Sequence, residues 1–77
     1  MKEKKMLGKI KWYKENKGYG YIIGGDDETY FFEISNCINK DETFNEGDLV
    51  MFIPELGIMD YADKVEKYKN EWINYSQ

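Results

Sequence analysis

The sequence predicts an all-β protein: a small closed barrel of five short antiparallel strands. Three observations lead there. Apolar and aromatic runs recur at roughly ten-residue spacing, divided by Gly-rich or polar turns. No run before residue 62 repeats at the three-to-four-residue interval of a helix. Finally, 77 residues lie near the lower limit for folding without a staple, too few for two packed sheets but enough for one sheet closed on itself.

The first strand is expected over Gly8 to Lys14, where Lys9, Ile10, Lys11 and Trp12 alternate in polarity. The second spans Gly18 to Ile23 and ends at Gly24-Gly25-Asp26-Asp27, a strong turn signal. Thr29 to Ile34, aromatic and β-branched, gives the third. Residues 36–47 read as a polar loop, with Phe44 as an anchor into the core. The fourth strand, Asp48 to Ile53, is an apolar run stopped by Pro54, which has no N–H to give a ladder. The fifth falls between Met59 and Lys67. Ile10, Ile22, Phe32, Val50, Phe52 and Val65 form the expected core. Beyond it, Tyr68, Trp72 and Tyr75 recur at helical spacing among good helix formers. A short C-terminal helix packing Trp72 on the barrel, an irregular tail and an extended last strand all fit that pattern.

Within this frame the stretch from Lys17 to Ile22 stands out. On a strand, Tyr19 and Tyr21 share one face, Gly18 and Gly20 leave the other nearly bare, and Ile22 turns inward. Aromatic rings shown to solvent cost apolar exposure and call for a reason. Flat rings beside lysines suit the stacking of unpaired bases and the holding of their phosphates. The plainer readings are cross-strand packing pairs for Tyr19 and Tyr21, and core positions for Trp12 and Phe31.

The net charge of −4 argues against a polyanionic partner, but its distribution does not. Residues 1–17 hold seven lysines against two acids, net +5, and the other 60 hold four lysines against thirteen acids, net −9. A chain so polarised can present one basic edge to a polyanion while the rest repels it, although terminal lysines are often merely solvated. Cys37 is the sole cysteine, so no internal disulfide forms and a reducing compartment is expected. It reads as a small, semi-buried thiol. Without histidine the usual zinc ligand set is missing, and Asp26-Asp27-Glu28 lacks the remaining oxygens of a calcium loop. No apolar run approaches the roughly 20 residues of a membrane span, and no apolar stretch follows the N-terminal lysines as in a signal peptide. The expectation is a soluble cytoplasmic protein, complete as given. No nucleophile constellation or phosphate loop suggests an enzyme.

Gly8-Lys9-Ile10-Lys11-Trp12-Tyr13 and Lys17-Gly18-Tyr19-Gly20-Tyr21-Ile22 resemble two motifs of the bacterial cold-shock proteins, Gly-Lys-Val-Lys-Trp-Phe and Lys-Gly-Phe-Gly-Phe-Ile. Glu46-Gly47-Asp48-x-Val50-x-Phe52 and Ala62-x-x-Val65 resemble that family's fourth-strand entry and last strand. The resemblance covers positions 6 to 65 of a single domain, 1–77, with 66–77 as an extension. It implies a five-stranded OB-type barrel that binds single-stranded RNA or DNA, of RNA-chaperone type, without cofactor or metal. By the same resemblance Trp12, Tyr19, Tyr21 and Phe31 stack bases, and Lys9, Lys11 and Lys17 pair with phosphates. The chain also departs from the family. Its second motif, Val-Phe-Val-His-Phe, is here Tyr30-Phe31-Phe32-Glu33-Ile34, so Glu33 stands at the binding histidine's place, on the face of Phe31. A family phenylalanine of the following loop falls near Asp41, and Gly-Pro-Gln-Ala is replaced by Met59-Asp60-Tyr61-Ala62. Neither a membrane nor a small-molecule substrate is expected as partner, and the chain is expected to act as a monomer. The alternative is a degenerate barrel of this type that serves as a protein–protein interaction module.

Overall fold

Alternating inward and outward side chains define five strands in the computed structural model, which describes residues 4–68. They are β1 (Met6–Lys14), β2 (Tyr19–Gly24), β3 (Thr29–Glu33), β4 (Leu49–Glu55) and β5 (Tyr61–Lys67), with a 3-10 turn at Ile34–Asn36. The strands close in the order β1-β2-β3-β5-β4, and β4 returns to pair with β1. Five strands cannot alternate in direction all the way round a ring, so one seam must be parallel. It lies between β3 and β5, where Phe31 pairs with Tyr61, and continues as a bridge between Cys37 and Val65. The other four seams are antiparallel.

All six expected core residues are at most 1% exposed, and Tyr30, Cys37, Phe44 and Ala62 join them. Phe44 is the loop anchor the sequence suggests: its ring meets Phe32 edge-on at 5.4 Å and Tyr13 at 5.3 Å. Tyr30 packs its ring on Phe52 at 5.1 Å and donates its hydroxyl proton to Asp26 Oδ2 at 2.6 Å. That bond satisfies the polar end of an otherwise buried side chain.

Several strand ends differ from the sequence reading by one or two residues, as where β1 begins at Met6 rather than Gly8, and two of these differences have identifiable reasons. β3 stops at Glu33 because the 3-10 turn begins at Ile34, and the Asn36 side chain accepts the Glu33 N–H at 2.9 Å. β4 does not stop before Pro54 but continues to Glu55, with Pro54 opposite Ala62. The pairing of β4 with β1 reaches no further than Phe52, so the missing N–H leaves no ladder incomplete on that side. The proposed C-terminal helix and the packing of Trp72 lie outside the described residues.

Two bulges set which side chains face out. In β1, Ile10 pairs with Ile22 but Trp12 with Tyr21, so Lys11 is an extra residue. Strict alternation would put Trp12 on the inner face with Ile10; the bulge turns it outward and sends Tyr13 in, stacked on Phe32 at 5.5 Å. In β5, the register slips between the Met51–Glu66 and Ile53–Asp63 pairs, and Lys64 adopts a left-handed φ of 49°. This slip lets Ala62 and Val65, three residues apart, both point inward.

Candidate nucleic-acid interface

The outward faces of β1, β2 and β3 carry the rings that the sequence singles out. Trp12 lies 5.2 Å from Tyr21 and 5.9 Å from Tyr19, centroid to centroid, both edge-on. Phe31 lies 5.8 Å from Tyr19 and 5.5 Å from Tyr21. The four rings therefore form one cluster in which each holds its neighbours' orientation, and each remains half-buried, with part of its surface open. The core readings of Trp12 and Phe31 do not hold: the bulge faces Trp12 outward, and Tyr30 and Phe32 take the inner positions on either side of Phe31.

Gly20 makes the cluster possible. A Cβ there would run into the Trp12 carbonyl oxygen and come within 2.8 Å of Tyr13 Cα, so no side chain fits against the bulge. Gly18 serves differently. Its φ of 75° closes the turn after β1, its N–H donating to Lys14 O at 2.7 Å, with ample room for a methyl group.

The lysines fall into distinct surroundings. Lys11, the bulge residue, is exposed beside Trp12, and Lys17 is exposed in the turn that leads into Tyr19. Lys14 was not singled out by the motifs, yet its Nζ lies 5.6 Å from the Trp12 ring centroid, within cation–π reach. Its place two residues beyond Trp12 on the same strand was the available signal. Lys9 stands apart from the rings. It pairs with Ile23 and Leu49 and lines a shallow apolar groove with Leu7. None of these four lysines forms an ion pair with another described residue, whereas Lys5 pairs with Glu66 at 2.8 Å and Lys67 lies 3.5 Å from Glu42.

Glu33 is exposed and pairs with Tyr19 across β2 and β3, on the ring face as the alternation requires. Its carboxylate accepts a hydrogen bond from the Ser35 hydroxyl at 3.4 Å. Ile34 does not join the outer face; half-buried, it packs against the core edge. Asp41 is exposed in the turn after Asn39, whose side chain accepts its N–H at 2.9 Å. Cys37 is 2% exposed, more buried than the sequence suggests, and burial first of all pushes its thiol up to about 11. Among the described residues no group of three or more His, Cys, Asp or Glu could hold a metal ion, and no helix is long and apolar enough to cross a membrane.

A small closed barrel with an aromatic, lysine-edged outer face defines a class of nucleic-acid-binding folds. The 'Cold-shock' DNA-binding domain family matches this chain over residues 6–66. The chain belongs to that family, and membership supports nucleic-acid binding of the cold-shock type. Cold shock protein CspV of Vibrio cholerae is 40% identical over 58 residues, 69% of this chain and 79% of that protein. Cold shock protein 1 of Lactiplantibacillus plantarum is 40% identical over 50 residues, 62% of this chain and 74% of that protein.

Proposed function

We propose that the protein, acting as one domain and as a monomer, binds single-stranded RNA or DNA by stacking bases on Trp12, Tyr19, Tyr21 and Phe31. The single observation that carries this reading is that the four rings cluster on the outside of the barrel rather than in its core. Each base–ring contact stabilises binding by about 1–3 kcal/mol and accepts any base. A duplex hides the base faces, so single strands are selected. Lys11, Lys14 and Lys17 at the edge, with Lys9 further along β1, neutralise phosphates and make the affinity salt-dependent. The tyrosine hydroxyls add hydrogen bonds to a phosphate or base edge. Because stacking lowers the free energy of the unpaired state, the protein loosens base-paired structure without ATP, the work of an RNA chaperone.

Glu33 and Ile34 weaken this surface. A carboxylate repels phosphate and a half-buried isoleucine offers no ring, so two stacking positions of about 1–3 kcal/mol each are lost. Affinity is tens-fold to about ten-thousand-fold below that of a barrel with rings at both. Glu33 can instead accept hydrogen bonds from base amino groups.

Protein–protein interaction is the second reading, favoured by the groove in which Leu7, Ile23 and Leu49 are 44%, 37% and 44% exposed. Ring-proton NMR shifts on adding an oligonucleotide separate the two. Movement of Tyr19, Tyr21 and Phe31 supports base stacking. Unmoved rings, together with nuclease-resistant retention of a specific protein partner, support the interaction module.

A further inference from the structure

The register of the barrel shows a row of aromatic residues that the motifs do not. Trp12 pairs with Tyr21, Tyr21 with Phe31, and Phe31, across the parallel seam, with Tyr61. Directly paired residues on neighbouring strands present their side chains to the same face. Tyr61 therefore stands beside Phe31 on the outer surface, one strand spacing of about 4.8 Å further round the barrel. Its neighbour Ala62 is fully buried while Tyr61 itself is 39% exposed, as that facing requires. The start of β5 is held in place by the Phe31 N–H, which donates to Asp60 O at 3.1 Å.

We infer that Tyr61 is a further base-stacking subsite, so that a bound single strand crosses β1, β2 and β3 and ends on β5. This rests on the proposed function. Among the described residues no other ring packs on Tyr61, unlike the four rings of the cluster, and 39% of the residue is open to solvent. Leu56, Ile58 and Met59 of the loop that leads into β5 are 76%, 110% and 59% exposed, so the segment that enters Tyr61 is apolar and open to solvent, suited to a base rather than a phosphate. Glu55, paired with Tyr61 on the far side, places a carboxylate at the end of the row and repels a backbone that would continue onto β4. The row thus has a cationic end at Lys11 and Lys14 and an anionic end at Glu55, which gives the strand a terminus. Stacking that Glu33 and Ile34 do not supply at one margin is supplied by Tyr61 at another.

The test compares wild type, Y61A, Y61F and W12A, titrated with pyrimidine-rich single strands of three and seven nucleotides, each variant checked for an unchanged thermal melt. A 2-aminopurine base walked along the seven-mer reports local stacking. The subsite predicts that Y61A weakens the seven-mer by about 5- to 150-fold, the equivalent of one base–ring contact, and leaves the three-mer within about twofold. Y61F retains the affinity, and one terminal 2-aminopurine position loses its quenching only in Y61A. If Y61A does not fold, loss of that same quenching in Y61Q supports the subsite and its persistence overturns it. Seven-mer binding that W12A abolishes and Y61A leaves unchanged overturns the Tyr61 subsite alone. No binding of the seven-mer by wild type overturns the proposed function and the subsite with it.

Discussion

Under the proposed stacking, Glu33 is the residue on which affinity turns. It pairs with Tyr19, so in the proposed binding mode a side chain there faces the strand stacked on Tyr19. Replacing the carboxylate by an imidazole removes a charge that repels phosphate and adds a flat ring. E33H is expected to tighten single-strand binding by about 5-fold or more, at the lower end of one stacking contact, in a fluorescence or calorimetric titration. Unchanged affinity would mean that Glu33 lies off the path of the strand. Tyr30 and Asp26 make the clearest titrating pair. The Tyr30 hydroxyl, and after it the Glu28 N–H, holds the Asp26 carboxyl below the ordinary aspartate value. The same bond, followed by burial, pushes the Tyr30 hydroxyl up to about 12. Asp26 thus contributes stability above its unfolded pKa and loses it as pH falls through the folded one. Tyr30 contributes below about 10, and that contribution is lost as pH rises toward about 12. In Y30F the Asp26 carboxyl should titrate at higher pH by carbon-13 NMR, and the acid limb of a melting-temperature profile should flatten. An unmoved Asp26 titration would contradict the assigned bond.

At the scale of the element, β1 and β2 depend on a bulge and two glycines with different tasks. G18A forces a methyl into a left-handed backbone that has room for it, so only backbone strain of about 1–2 kcal/mol is expected. G20A drives a methyl into the backbone of Trp12 and Tyr13, which cannot yield without opening the bulge. It should cost about 3 kcal/mol or more by urea unfolding, and should weaken single-strand binding by displacing Trp12. Equal losses in the two variants would contradict the close packing of Gly20. The strand assignments were legible because apolar runs and turn residues report local preference. The bulges were not. Ile10 and Trp12 have the same parity in sequence, and only the Ile22 and Tyr21 pairing shows that they face opposite ways. The length of β4 was hidden similarly: Pro54 reads as a stop until one sees that β1 no longer runs beside it.

Across the whole molecule, charge and topology act together. The lysine-rich stretch from Lys9 to Lys17 becomes β1 and its turn, which puts Lys11, Lys14 and Lys17 beside the rings and Lys9 further along the strand, while acids dominate the remainder. The core and the four clustered rings could be read from alternation and motif, since both depend on neighbours close in sequence. Tyr61 could not, because its place beside Phe31 depends on a parallel seam between residues 30 positions apart. In the proposed binding mode, single strands stack on the outer rings with lysines on their phosphates. The most direct measurement is a tryptophan-fluorescence titration of the W72F variant, leaving Trp12 as sole reporter, with a pyrimidine-rich seven-mer and a matched duplex at low and near-physiological salt. Stacking on Trp12 predicts saturable quenching by the single strand and little by the duplex. The lysine contacts predict a logarithmic salt slope of about −2 to −3, from three or four phosphates neutralised at about 0.7 each. No quenching even at low salt, or equal quenching by the duplex, would contradict that binding mode.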